Sequence, residues 1–166
     1  IGYDAMRRRA PQIVYCSLSA YGQDGPSHLR PTHDMGIQAE LGLLAANLGS
    51  DGKPTIPAVP AADMAASLMA LNGILMALLR RKDTGKGDFV DIAMLDSLMA
   101  WMCNVMGPTF AENRMPNPRH ERTWGGHAMY NIYETKDGRH LVLGGSELKF
   151  TQNLLTDLGR PELIAL

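Results

Sequence analysis

The sequence has little cysteine and almost no excess charge. Its 166 residues include 2 cysteines, and the formal net charge is -1. Cys16 and Cys103 lie far apart without a CxxC or histidine spacing, which argues against both a zinc site and a disulfide framework. We expect two buried thiols in a reducing cytoplasm. The scattered Lys and Arg form no basic stripe, so a small-molecule substrate and no nucleic-acid partner are predicted.

A secretory signal, a membrane span and a metal-binding motif are also missing. No positively charged segment precedes an apolar stretch. The run Ala65 to Leu79 is about five residues short of the ~20 that cross a bilayer, so a buried helix and no membrane partner are expected. The 5 histidines lack the short helical pairing of zinc hydrolases, and no metal is predicted. Because Ile1 is not an initiator Met and Leu166 falls inside an apolar pattern, we expect an internal fragment.

The residues that are present predict an α/β protein. A helix over Tyr3 to Ala10 is followed by the β-rich run Ile13 to Leu18, which is typical of a strand buried on both faces in a parallel sheet. The turn-forming residues Ser19 to Pro26 follow at the carboxyl end of this strand, where ligands bind in α/β sheets.

Further elements can be placed by periodicity and by turn residues. The pattern predicts helices over Asp34 to Ala46, Asp63 to Lys82, Met94 to Val105 and Leu148 to Leu158, and a strand over Asp88 to Ala93. Residues 107–126 contain Pro108, Pro116 and Pro118 and form the predicted linker. A hairpin is predicted beyond it, with strands at Ala128 to Thr135 and Arg139 to Gly144 around the turn Lys136-Asp137-Gly138.

Asp63 is the first candidate for chemistry, because a carboxylate at the start of an apolar helix is costly to bury without a reason. The simplest alternative is a helix N-cap, for which Asp is favoured. The two roles are compatible, since a helix N-terminus also stabilises the ionised carboxylate that a nucleophile requires.

Other candidates are weaker on local pattern alone. His33 and Asp34 could form an acid/base pair, or Asp34 could cap a helix beside a surface histidine. Glu147 precedes the last helix and could simply face solvent. Gly125 and Gly126 could wrap closely around a ligand or merely turn the chain.

Several segments, read in order, resemble one family. They are IVYCSLSAYGQDGP (13–26), His33-Asp34, the stretch Pro60 to Asp63, GILMALL (73–79), RKDTGKG (81–87) and VDIAMLD (90–96). Together they are similar to the class III CoA-transferases, which include carnitine, formyl-CoA and bile-acid CoA-transferases and 2-methylacyl-CoA racemases. The match extends over nearly the whole chain.

The resemblance implies a Rossmann-like large domain, a small α+β domain and an interlocked homodimer. Residues 1–106 would then be the later part of the large domain, 107–126 a linker with a glycine loop, and 127–166 the start of the small domain. It also implies a coenzyme A thioester as substrate, a carboxylic acid as acceptor and no permanently bound cofactor.

The transferases imply a covalent mechanism for Asp63. The matching aspartate attacks the thioester to form a mixed anhydride, and CoA thiolate then converts it to an aspartyl-CoA thioester. Gly125 and Gly126 match the glycine loop that binds the substrate and shields these intermediates from water.

The racemases imply a second possibility. There, the positions of His33 and Asp63 act as opposed acid and base at the α-carbon, and those of Asp34 and Glu147 support the histidine. His33-Asp34 and Glu147 favour the racemase pattern, whereas the residues after Asp63 lack the racemase glycines. A non-catalytic interaction module, with Asp63 as a cap only, is the third hypothesis.

Overall fold

The computed structural model describes residues 2–165. They form two compact units, with the division between Val105 and Met106.

The first unit is a mixed α/β structure built on a two-stranded parallel sheet. Strand β1 (Val14–Ser19) pairs with β2 (Asp88–Ala93), in register from Val14 opposite Asp88 to Ser19 opposite Ala93. The helices of the unit are α1 (Tyr3–Arg9), α2 (Asp34–Glu40), α3 (Leu43–Ala46), α4 (Ala61–Thr84) and α5 (Met94–Met99). The predicted α/β class and parallel pairing are therefore confirmed, while the Rossmann-like detail stays a prediction. Leu18 is 46% exposed, so burial of β1 on both faces is not seen.

Helix α4 forms the centre of this unit. It packs on both strands and on α2 and α5, and its buried residues are the small Ala62, Ala65, Ala66 and Ala77. Small side chains allow close approach to the sheet, and a Cβ added at Gly73 would lie only 2.7 Å from Val90 Cγ1. The helix ends at Gly85, whose positive φ of 67° suits a residue without a Cβ.

Many large apolar side chains of α4 are exposed, which differs from the buried helix expected from the sequence. The exposed side chains are Met64, Leu68, Met69, Leu71, Leu75, Met76 and Leu79. By length and composition alone α4 could cross a membrane, but the core helix of a soluble protein passes the same test.

Two predicted helices are each interrupted. The helix expected over Asp34 to Ala46 breaks at Gly42, which has a φ of +80° that glycine adopts without a steric penalty. The one expected over Met94 to Val105 ends at Met99, and α6 (Cys103–Glu112) begins after a short gap. Helix α6 contains Pro108 and extends into the segment predicted as linker.

The second unit contains the predicted hairpin. Strands β3 (Tyr130–Glu134) and β4 (His140–Gly144) pair antiparallel, and Gly138 has the positive φ of 76° that the predicted Asp-Gly turn requires. Helix α7 (Leu148–Asp157) follows, and a 3-10 helix occupies Pro161–Ala165. Both cysteines are free, and Cys103 is exposed, so the expectation of two buried thiols is wrong for that residue.

Candidate active site

The loop after β1 is fixed at the carboxyl end of the sheet. The amide of Gln23 donates to Asp91 Oδ2 at 2.9 Å, and Gly22 turns the chain with a φ of +85°. Burial and the nearby charge of Asp91 raise the pKa of the Cys16 thiol, which favours its neutral form. The predicted ligand-facing loop is therefore held by a carboxylate on the neighbouring strand.

The same loop is tied to α2 by a small polar cluster. Tyr21 donates its hydroxyl to Glu40 Oε1 at 2.8 Å, and Arg30 donates to the same oxygen at 2.6 Å. The Arg30 guanidinium also lies 5.0 Å from the centre of the Tyr21 ring. The hydrogen bond from Tyr21 and then Arg30 lower the pKa of Glu40, so the carboxylate stays ionised and the loop stays attached to the end of α2.

Asp63 lies in the first turn of α4 with its side chain exposed. The N-cap residue is Pro60, which makes no side-chain cap, so the alternative of Asp63 as the helix N-cap is wrong. Ser67 donates to the Asp63 carbonyl at 2.8 Å. Within residues 2–165 the Asp63 carboxylate itself has no hydrogen bond or ion pair, which leaves it available to a substrate.

The cap of α4 is supplied by Asp34, at the start of α2. Its Oδ1 accepts the amide of Ala62 at 2.7 Å and that of Asp63 at 3.3 Å. These amides belong to the first turn of α4, where no helical partner exists for them. A negative charge there also complements the positive end of the helix dipole. The N-termini of α2 and α4 are thereby joined.

His33 is the N-cap residue of α2 and is exposed. It lies next to Asp34, which contacts the Asp63 amide, so His33, Asp34 and Asp63 are brought to one place. Among its described contacts, Asp34 binds backbone amides of α4 and a glutamine rather than the His33 ring.

Gln38 completes this group and was missed by the sequence reasoning. It is 1% exposed, and its amide nitrogen donates to Asp34 Oδ2 at 2.6 Å. A glutamine four positions after an aspartate in the same helix was the available signal.

Gly125 and Gly126 form a tight loop in the second unit. They end a distorted π-helical turn, Arg122–Gly126, with a φ of +91° at Gly125. A Cβ at Gly126 would overlap the carbonyl oxygen of His120, so glycine is sterically required. Asn131 on β3 donates to the Gly125 carbonyl at 3.0 Å and fixes the loop against the hairpin.

Glu147 is exposed and is the N-cap residue of α7, without a side-chain cap. Arg122 at the start of the glycine loop donates to Ser146 at 3.4 Å, which links the loop to the chain just before Glu147. A groove of about 420 Å³ lies beside the loop and is lined by residues that include Trp124, Gly125 and Asn131. Among the described residues, no cluster of three or more His, Cys, Asp or Glu could hold a metal ion.

Comparison with known proteins gives a consistent result. The model of CoA-transferase family III matches residues 1–166. Succinyl-CoA:glutarate CoA-transferase of Mus musculus is 35% identical over 168 residues, which are 99% of this chain and 37% of the mouse protein. Alpha-methylacyl-CoA racemase of Homo sapiens is 32% identical, over 96% of this chain and 42% of the human protein.

A solved structure agrees with these matches. The crystal structure of a CAIB/BAIF family protein from Brucella suis superposes with a TM-score of 0.79 and 26% identity, and the match covers 100% of this chain and 43% of the other. The chain thus spans about two fifths of the length of the curated relatives it matches.

Proposed function

The chain belongs to CoA-transferase family III, and from this premise we propose that the full-length protein transfers CoA from an acyl-CoA thioester to a carboxylic acid. The observation that carries the proposal is the free carboxylate of Asp63, exposed in the first turn of α4. Relatives named as CoA-transferases align with nearly all of the chain.

In this proposal Asp63 is the nucleophile. Its carboxylate attacks the thioester carbonyl, the C–S bond breaks, and CoA thiolate leaves an aspartyl mixed anhydride. The thiolate then attacks the aspartyl carbonyl, which releases the donor acid and forms an aspartyl-CoA thioester. The acceptor carboxylate attacks that thioester to give a second anhydride, and the returning thiolate takes the new acyl group and frees Asp63. This covalent route divides one difficult acyl exchange into several easier steps.

The positioning of Asp63 supports this role. The carboxylate is attached to a backbone that Asp34 holds through two amides, and fixed geometry is what makes an attack intramolecular in effect. The positive end of the α4 dipole favours the anionic form that attacks. We further propose that the Gly125–Gly126 loop binds substrate and protects the intermediates from water.

A second candidate is an α-proton racemase or epimerase. It is favoured by His33, which lies beside the pair formed by Asp34 and the Asp63 amide, and by the racemase among the relatives. In that reaction one of the two residues, His33 or Asp63, would remove the α-proton on one side of the α-carbon. The other would deliver a proton on the opposite side. For this reaction we further propose that Glu147 supports His33.

Trapping separates the two candidates. The full-length protein is incubated with succinyl-CoA, acetyl-CoA or a fatty acyl-CoA and treated with hydroxylamine, and peptides are read by mass spectrometry. A transferase gives a hydroxamate at Asp63, whereas a racemase gives none and instead introduces solvent deuterium at the α-carbon. Asp63→Asn should abolish transfer, and Asp83→Asn, exposed at the other end of α4, is the matched control. Full transfer by Asp63→Asn would contradict the proposal.

Three predictions from the sequence remain to be tested on the full-length protein. The interlocked homodimer is open to light scattering, and the cytoplasmic location to fractionation. The non-catalytic module would be the correct hypothesis if neither transfer nor α-proton exchange occurred with any acyl-CoA offered.

A further inference from the structure

We propose that Gln38 is a positioning residue that acts on Asp63 through Asp34. The inference rests on the proposed function, since it assigns Gln38 a part in placing the attacking carboxylate. Gln38 itself is buried at 1% exposure on α2, and its role is to hold Asp34, which in turn holds the start of α4.

The orientation of the Gln38 amide is fixed by its acceptors. Its nitrogen donates to Asp34 Oδ2 at 2.6 Å and to the carbonyl of Val59 at 3.4 Å. A flipped amide would turn its oxygen toward a carboxylate and a carbonyl, neither of which can donate a hydrogen. The amide nitrogen therefore faces Asp34.

This orientation leaves the other half of the amide without a partner. Gln38 Oε1 is buried and has no hydrogen bond among residues 2–165. An unsatisfied buried acceptor costs stability, and an apolar side chain of the same length would avoid that cost. This arrangement is explained if the hydrogen bond to Asp34 is needed for activity, because an unfavourable local contact is retained where function requires it.

The contacts form a continuous path to the nucleophile. Gln38 fixes Oδ2 of Asp34, and Oδ1 of the same carboxylate accepts the amides of Ala62 and Asp63. The weaker contact to Val59 holds the segment that leads into α4. Removal of Gln38 would let the Asp34 carboxylate rotate and with it the first turn of α4, and small misplacements of a reacting group reduce rate strongly.

The test is Gln38→Met in the full-length protein. Methionine keeps the length and volume of the side chain but removes both the donor and the orphan acceptor. We expect kcat to fall about tenfold and KM for the acyl-CoA to stay within about twofold. Gln152→Met, on the exposed surface of α7, is the control and should match the wild type.

A double-mutant cycle tests the path itself. If Gln38 acts through Asp34, then Gln38→Met should lower kcat far less in an Asp34→Ala background than in the wild type. Equal effects in both backgrounds would overturn the path. So would a wild-type kcat in Gln38→Met.

Asp63→Asn, measured alongside, separates the failures. If Asp63→Asn keeps full transfer, the proposed function fails and the role of Gln38 fails with it. If Asp63→Asn is inactive and Gln38→Met retains wild-type kcat, only the inference about Gln38 fails.

Discussion

The two units hold their functional residues by different means. In the first unit, the buried Gln38 donates to Asp34, which accepts the amide of the buried Ala62. In the second unit, no residue from 106 to 164 is buried. Its glycine loop is fixed by steric fit and by a hydrogen bond from Asn131 to Gly125.

Ion pairs of the exposed Arg114 connect the chain on both sides of residue 114 in the second unit. Arg114 donates to Glu121 at 2.5 Å and also pairs with Glu112. Glu121 in addition accepts the Asn117 amide at 2.9 Å. Exposed pairs contribute little stability each, so the glycine loop should open more readily than the start of α4. The proposed nucleophile and the proposed shielding loop are thus held by different kinds of contact.

Among the variants that compare the two units, Gly126→Ala should have the largest effect. A Cβ there overlaps the His120 carbonyl and lies 2.9 Å from that of Glu121, so only a backbone shift could accommodate it. We expect transfer by the full-length protein to fall at least about 100-fold if the loop shields the intermediates. Gly107→Ala, where a Cβ meets nothing within 4 Å, is the control, since Gly107 does not line the groove beside the loop. Normal transfer by Gly126→Ala would show that the loop has no such role.

The next largest effect is expected from Asp34→Ala, which changes the first unit. It removes the acceptor of two α4 amides, which should lower the free energy of unfolding by about 1 kcal/mol and kcat by about tenfold or more. Calorimetry and steady-state kinetics measure the two losses. Asp51→Ala is the control, because Asp51 Oδ1 also accepts a backbone amide, that of Lys53 at 3.1 Å, but in a surface turn. Equal kinetic losses in the two variants would contradict a specific role for Asp34.

The elements that local signals determine could be predicted from the sequence. The Asp137-Gly138 turn identified the hairpin, and the β-rich run at 13–18 identified β1 within one residue. The break at Gly42 was missed because the apolar pattern continues on both sides of it, and a single glycine inside a helical pattern does not by itself predict a positive φ.

The candidate site was only partly predictable. Asp63 and His33 could be identified because chemistry restricts the residue types and the family order supports them. The contact of Asp34 with the Ala62 amide spans 28 residues, and no local spacing indicates which helix a carboxylate will cap. Gln38 was missed for the same reason, since its partners include Val59 in another segment.

Gly73→Ala tests the close packing of α4 on the sheet of the first unit. The added Cβ would lie 2.7 Å from Val90 Cγ1, so α4 or β2 must shift, and overpacking of this kind costs about 1–3 kcal/mol. We expect a lower melting temperature and faster hydrogen exchange in α4 and β2, with exchange in the hairpin unchanged. Gly107→Ala, which meets nothing within 4 Å, should not destabilise the protein. An equal loss of protection in both units would contradict a destabilisation confined to α4 and β2.

The smallest effect is expected on hydrogen exchange when the pH is lowered. The hydrogen bond from Arg114, followed by the Asn117 amide, lowers the pKa of Glu121 from its ordinary value of 4.5 to about 2. A lowered pKa means that the pairing stabilises the folded state fully above pH 4.5 and that this contribution is lost as the pH falls toward 2. Hydrogen exchange across this window should therefore accelerate in residues 113–126 before it does in α4. Glu121→Gln should show the faster exchange already at neutral pH, whereas Glu134→Gln, at a carboxylate without an ion pair in residues 2–165, should not. If residues 113–126 and α4 lost protection together in acid, the Arg114–Glu121 pair would not be what protects residues 113–126.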